Sequence, residues 1–294
     1  MIIGEVIISH LNHVQILKAG AAHLRIQMLM VRERCRKKIH GKSIMNYESA
    51  WPGGKRCALS FTFDDSRASQ LDAGIPIFDR HGLKATFYVI PWRFEPHADK
   101  WRAVAQRGHE IGNHTTTHPC NKSAEWSRNN AVEDFTLERM AGEIDGATEI
   151  IKNRCGVTPV TFAYPCGIRY VGEGETRRSY EPLVKERFLY ARGDTIANSP
   201  IPIRVSGTDG EELERLLGNL EEARRTGGWM ITVGHEVGPP EFPDPLTTRT
   251  AVLTAFCEYL TAKGQDVWVA PVVEVVKHLG EEPDLQGCTF GFVK

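Results

Sequence analysis

Short apolar runs alternate along the chain with longer stretches of helical periodicity. Residues 57–63 (CALSFTF) form an apolar, β-branched run typical of a buried strand, and similar runs follow at 85–90 and 229–233. Residues 68–81 and 131–154 show the spacing of an amphipathic helix, and a glycine closely follows each. This alternation predicts a mainly parallel α/β fold.

Weaker patterns extend the same alternation through the chain. Seven or eight strand–helix units without a glycine-rich nucleotide-binding motif predict a closed or nearly closed, TIM-like barrel. In such a barrel the reactive groups follow the strands, at their carboxyl ends. The further predicted strands are 110–112, 160–163, 188–191, 201–205 and 267–269, and the further predicted helices are 97–107, 180–186, 211–225, 248–262 and 272–279.

The first 45 residues differ from the rest and are interpreted as an N-terminal extension, with the catalytic domain over 46–294. Residues 14–39 have the pattern of a basic amphipathic helix, which favours a membrane-surface or partner-binding segment. The alternative is an extension outside the domain, with the true chain start at Met45. The opening apolar stretch lacks a basic segment and contains Glu5 and His10, so no signal peptide is expected. No apolar run is long enough for a membrane span, and a cytoplasmic location is the default expectation.

Composition excludes several classes of protein. The chain is 41% hydrophobic and 25% charged, which is ordinary for a globular protein. With 36 Lys+Arg against 37 Asp+Glu, its net charge of -1 argues against a nucleic-acid partner. The seven cysteines form no CxxC pair, so a zinc ribbon is not expected and free thiols in a reducing compartment are.

Polar residues with distinct chemistry follow four of the predicted strands. Asp64 and Asp65 end an otherwise apolar run, and two histidines at i, i+4 spacing, His114 and His118, form a typical metal-binding pair. A Pro-Cys-Gly turn at 165–167 can expose backbone N–H groups to an oxyanion. His235 directly follows the strand at 229–233.

The order TFDD, GHEIGNHTTTH, FAYPCG and a strand-end histidine resembles the polysaccharide deacetylase family, the NodB-homology domain of carbohydrate esterase family 4. The resemblance covers roughly residues 55–280 and is most specific at 62–65 and 108–118. It implies a distorted (β/α) barrel of seven or eight strands and a metal-dependent deacetylase.

The resemblance also implies a role for each residue of these motifs. Asp64 matches the general base, and His235 matches the general acid. The metal ligands would be Asp65, His114 and His118, and the backbone N–H of Cys166 would bind the oxyanion. Zn²⁺ is the expected metal for two histidines and one carboxylate, with Co²⁺, Ni²⁺ or Mn²⁺ as alternatives.

Three positions depart from the family pattern. Ser66 stands where glycine is frequent, and Ala163 stands where many members carry an arginine that braces the base. The family also has an acidic residue that orients the catalytic histidine, and its counterpart here is hard to place. Asp194 is a candidate for this role, and the alternative is that Asp194 is only a turn residue. The candidate substitutes for the missing arginine are Arg169, Arg192 and Arg204.

Several further residues have both a structural and a functional interpretation. Glu236 and His109 are candidates for supporting the site or for buried structural roles. Among aromatic residues that could stack on a sugar, Trp92 is favoured because it follows a strand end. The other aromatic candidates are Trp126, Tyr170 and Trp229.

Three functions follow from these observations. The first is a hydrolase that removes acetyl groups from an N-acetylated or O-acetylated carbohydrate and releases acetate. The second is a related amidase that acts on a small non-sugar C–N bond, such as a cyclic imide or ureide. It is considered because position 163 holds alanine and not the family arginine. The third is a catalytically silent sugar-binding module, which the presence of both the base and the acid disfavours.

Overall fold

The central strand of the fold, β1 (Cys57–Asp64), is buried over all eight residues in a computed structural model that describes residues 51–192 and 201–281. It pairs in parallel with β9 (Trp229–Val233) along one side, and along the other with β12 (Val267–Val269) near its start and β2 (Ala85–Val89) near its end. A strand buried on both faces reads as a continuous apolar run, which explains the pattern of residues 57–63. The two acidic residues therefore stand at the end of the most enclosed strand.

Eight parallel strands form one curled sheet, ordered β7–β4–β3–β2–β1–β9–β8 with β12 beside β1. The expected distorted (β/α) barrel is confirmed. Two small two-stranded sheets, β5 with β6 and β10 with β11, lie outside it. The strands after β1 are β2 (Ala85–Val89), β3 (Glu110–Asn113), β4 (Thr161–Ala163), β5 (Tyr170–Val171), β6 (Arg178–Ser179), β7 (Tyr190–Arg192), β8 (Ile203–Gly207), β9 (Trp229–Val233), β10 (Glu236–Gly238), β11 (Thr247–Arg249) and β12 (Val267–Val269).

Helices pack against this sheet through large apolar side chains. Phe61 of β1 lies with its ring centroid 5.0 Å from that of Phe78 and 5.6 Å from that of Phe256. Through these contacts, helices α1 (Ile75–Arg80) and α7 (Thr250–Lys263) pack on Phe61 and fix the strand end that carries the acidic pair. The helices are α1 (Ile75–Arg80), α2 (Pro91–Phe94), α3 (Ala98–Gln106), α4 (Leu137–Cys155), α5 (Glu181–Arg187), α6 (Leu213–Thr226), α7 (Thr250–Lys263) and α8 (Val272–Glu281).

One predicted helix begins later than the periodicity suggested, and another contains an irregular turn. The helix expected over 131–154 starts at Leu137, because the Thr136 hydroxyl accepts a hydrogen bond from the Arg139 N–H and caps it. The helix expected over 68–81 is helical from Ala68, as predicted, but passes through a π-helical turn, Gln70–Gly74, before α1. In that turn the Gln70 side-chain amide donates to the backbone carbonyl oxygens of Asp64 and His235, so the irregular segment braces the site.

The extension at 1–45 and Asp194 lie outside the described residues. The domain boundary at residue 46 therefore stays a prediction. Within residues 51–192 and 201–281, no helix combines the length and apolar character that a membrane crossing needs.

Candidate active site

A cavity of about 770 Å³ opens at the carboxyl ends of the central strands. Its wall is built from the segments that follow β1, β2, β3, β4 and β9, as expected for this type of fold. The structure brings together in this wall all six site residues that the sequence singled out. They are Asp64, Asp65, His114, His118, Cys166 and His235.

Three of these residues could hold a metal ion. The Asp65 Oδ1 atom lies 3.4 Å from His118 Nε2 and 3.7 Å from His114 Nε2. This carboxylate oxygen is buried and has no hydrogen-bond partner among the described residues. The Nδ1 atom of His114 donates to the Ala163 carbonyl oxygen at 2.8 Å, which leaves its Nε2 lone pair directed away from that bond and free for a metal. An orphaned oxygen and two available imidazole nitrogens fit a divalent transition metal.

The charge states of the ligands also suit metal binding. Burial, aided by the neighbouring His114, lowers the pKa of His118 to about 4, so its imidazole is neutral at neutral pH. Burial alone would raise the pKa of Asp65, but His114, His118 and other cationic neighbours lower it to about 2. The trio therefore offers an ionised carboxylate, as metal ligation requires.

The candidate base is held by an arginine that replaces the one missing at position 163. Arg192 Nη2 donates to Asp64 Oδ2, and both side chains are buried. Ala163 and Arg192 are paired positions on the adjacent parallel strands β4 and β7. Of the three candidates, Arg169 lies instead over the Tyr164 ring and Arg204 is exposed. The guanidinium thus reaches the same carboxylate from the neighbouring strand.

The candidate acid is oriented by a residue that sequence reasoning missed. His235 Nδ1 lies 2.6 Å from Asp209 Oδ2, and the His235 backbone N–H donates to Asp209 Oδ1. Asp209, in the loop after β8, holds His235 in this way, whereas the candidate Asp194 lies outside the described residues. Burial alone would lower the pKa of His235, but the bond to Asp209 and the nearby Asp64 raise it.

The expectation that the cysteines are free thiols is wrong for two of them. Cys120 and Cys166 form a disulfide, with their Cα atoms 6.0 Å apart and a sequence separation of 46. The loops after β3 and β4 approach each other at the carboxyl edge of the sheet, which an odd count of unpatterned cysteines could not reveal. The bond ties the segment that carries His118 to the turn at 165–167. The described free cysteines, Cys57, Cys155 and Cys257, are buried.

An arginine that the sequence analysis did not consider supports the carboxylate of Asp65, a predicted metal ligand. Arg67 donates through Nε and Nη2 to Asp65 Oδ2, the oxygen opposite the unpaired Oδ1, and through Nη1 to Glu236. Asp244 lies 3.5 Å from the same Nη1. Glu236 therefore supports the site through Arg67. His109 has the structural role, since its Nδ1 accepts the Ala85 N–H and its Nε2 meets Asp79 away from the cavity.

Two of the four aromatic candidates line the cavity. Trp92 and Trp126 are exposed there, and the Trp126 ring lies 5.6 Å from that of His118. Trp229 is fully buried in the core, and Tyr170 does not line the cavity. Two exposed indoles beside the predicted metal ligands form an apolar rim suited to a ring-shaped substrate.

Unusual backbone conformations concentrate around this cavity. Ser66 has a φ of 53° where relatives often have glycine, and its hydroxyl accepts the Ile90 N–H at 2.8 Å, which helps to hold the left-handed geometry. Such conformations cost roughly 1–3 kcal/mol each and tend to cluster at functional sites. The non-glycine residues with positive φ in the described chain are Asp65, Ser66, Thr115, His118 and Cys166.

The model of the family described as polysaccharide deacetylase matches residues 53–173, which include the acidic pair, both histidines and the turn. Over this segment the chain is similar to the polysaccharide deacetylase family. The resemblance seen in its motifs is thereby confirmed. His235 and Asp209 lie beyond the matched segment.

Two curated relatives, a lyase and a deacetylase by name, are longer than this chain. The chain is 28% identical over 246 residues to a gellan lyase from Bacillus sp., covering 78% of this chain and 10% of the relative. It is 27% identical over 106 residues to chitin deacetylase 1 from Cryptococcus neoformans, covering 36% of this chain and 20% of the relative. The chain thus spans well under half the length of these relatives.

Solved structures support the fold. A peptidoglycan deacetylase from Bacillus subtilis matches with a TM-score of 0.52 at 16% identity, covering 78% of this chain and 95% of the other. An allantoinase matches with a TM-score of 0.58 at 17% identity, covering 83% and 98%. At these identities both likenesses concern the fold alone.

Proposed function

We propose that this protein is a metal-dependent hydrolase that removes acetyl groups from an N-acetylated or O-acetylated carbohydrate and releases acetate. One observation carries the proposal: a buried Asp-His-His donor set lies in the same cavity as an arginine-paired Asp64 and an aspartate-paired His235. The match of residues 53–173 to the polysaccharide deacetylase model and the names of relatives such as chitin deacetylase 1 support a sugar substrate.

Asp64 is the proposed general base. Its Oδ1 atom is buried, faces the cavity and has no hydrogen-bond partner within the described residues, so it can accept the proton of an attacking water. Arg192 holds the other oxygen and fixes the orientation of the carboxylate. A divalent cation held by Asp65, His114 and His118, with Zn²⁺ as the first candidate, would supply Lewis-acid activation of the water and the acetyl carbonyl.

His235 is the proposed general acid. Its Nδ1 is engaged by Asp209, so Nε2 is the nitrogen that can give a proton to the departing amine or alcohol. The raised pKa of His235 favours the protonated form that this step requires. The backbone N–H of Cys166, in the turn that lines the cavity, is the proposed donor to the oxyanion. Trp92 and Trp126 are proposed to pack against sugar rings.

Acetate release is the direct test. Protein reconstituted with Zn²⁺, Co²⁺, Ni²⁺ or Mn²⁺ is incubated with acetylated chito-oligosaccharides, N-acetylglucosamine and acetylated xylan. We expect release from at least one substrate, loss on chelation, and a loss of at least about 10²-fold in Asp64→Asn with its metal content retained. Asp72→Asn, an exposed carboxylate outside the cavity, is the matched control. Undiminished release in Asp64→Asn, or none from any substrate by metal-loaded protein, would overturn the proposal.

A further inference from the structure

The cavity wall contains three arginines, and two of them have carboxylate partners. Arg192 is paired with Asp64. Arg67 is paired with Asp65, Glu236 and Asp244. These contacts account for the acidic side chains that line or border this part of the cavity. The third arginine, Arg93, meets only Asp65, at 3.9 Å, and shares that carboxylate with Arg67.

The Arg93 guanidinium contacts its neighbours through charge and stacking, and the structure records no hydrogen bond from it to another described residue. Its nearest carboxylate oxygen is Asp65 Oδ2 at 3.9 Å, and that atom already accepts two N–H groups from Arg67. The Arg93 Nη1 atom is buried and has no hydrogen-bond partner within the described residues. The Arg93 Cζ atom lies 4.5 Å from the Trp92 ring centroid. The Arg93 side chain is 27% exposed and lines the cavity, so its accessible donors can pair with an anionic group of a ligand there.

We infer that Arg93 binds a carboxylate carried by the acetylated sugar, so that the preferred substrate is an acidic one. The planar guanidinium presents parallel N–H donors that match a carboxylate, and its neighbour Trp92 offers an apolar face to the ring that bears it. The inference rests on the proposed function, because the carboxylate and the acetyl group would belong to the same substrate. It adds a specificity determinant at the wall beside the metal ligands.

Matched neutral and acidic substrates test this inference. Acetylated chito-oligosaccharides are compared with the same oligomers oxidised to a carboxylate at C6 and with oligomers that carry a lactyl ether at O3. We expect kcat/KM to be at least about tenfold higher for one acidic series than for the neutral one, mainly through KM. In Arg93→Gln this ratio should fall to about one, and Arg93→Lys should retain part of it. Arg80→Gln, the same change at an exposed helix position, should keep the full ratio.

Each alternative outcome has a separate meaning. Acetate release with equal efficiency from neutral and acidic substrates would overturn the inference and leave the proposed deacetylase intact. An equal loss of kcat on both series in Arg93→Gln, together with weaker zinc binding, would assign Arg93 to holding Asp65 and would also overturn it. No release from any series would instead refute the proposed function.

Discussion

The disulfide between Cys120 and Cys166 gives a stability prediction whose size follows from the chain. Replacing both cysteines by serine frees two segments separated by 46 residues in the sequence. In the chain-entropy model, closing a loop of that length stabilises the fold by about 4 kcal/mol. For a domain of this size, that corresponds to a fall in Tm of roughly 8–16 °C.

Thermal unfolding followed by circular dichroism is the assay, run with and without a thiol reductant. We expect the oxidised wild type to unfold at the higher temperature, and the reduced wild type to match the Cys120→Ser, Cys166→Ser double variant. The reductant should leave that variant unchanged, because the described remaining cysteines are free thiols. A Tm difference below about 2 °C, or peptide mapping that finds no Cys120–Cys166 link, would refute the reasoning.

Three further results are expected. Asp209→Asn removes a group that raises the pKa of His235. Because the proposed acid works in its protonated form, the alkaline limb of the pH profile of kcat/KM should move to lower pH. An alkaline limb at the same pH as in the wild type would contradict this. Arg192→Ala leaves the buried Asp64 unpaired and should lower the unfolding free energy by about 3–5 kcal/mol in urea titrations, whereas exposed Arg204→Ala should change it by less than about 0.5 kcal/mol. Saturating zinc at about 100 times its Kd should stabilise the fold by about 2.7 kcal/mol and chelation should reverse this in calorimetry; an unchanged Tm would contradict a bound metal.

Sequence patterns predicted the features that depend on neighbouring residues. The strand Cys57–Asp64 was visible because burial on both faces leaves a continuous apolar run ending in charge. The start of α4 was misplaced because periodicity continues upstream of its cap, although Thr136 is itself a recognisable capping residue. Local signals thus give the element type more securely than its boundary.

Features that join distant segments were beyond local patterns. Asp209 lies 26 residues before His235, and no sequence signal distinguishes it from other loop aspartates. Arg67 stands directly beside the acidic motif, but only the fold shows that its side chain turns back onto Asp65 and across to Glu236. Such partners are selected by position in space, so they emerge only once the strand order is known.

The pairing of Ala163 with Arg192 across β4 and β7 has an evolutionary consequence. The cation that pairs with Asp64 comes from β7 in this chain, whereas the family pattern places an arginine at the paired position on β4. Lineages of this family are therefore expected to carry arginine at one of the two positions and a small residue at the other, exchanged together. The double exchange Ala163→Arg, Arg192→Ala should restore acetate release that Arg192→Ala alone abolishes. That result would indicate that the arginine moved once, during evolution, from one of these strand positions to the other.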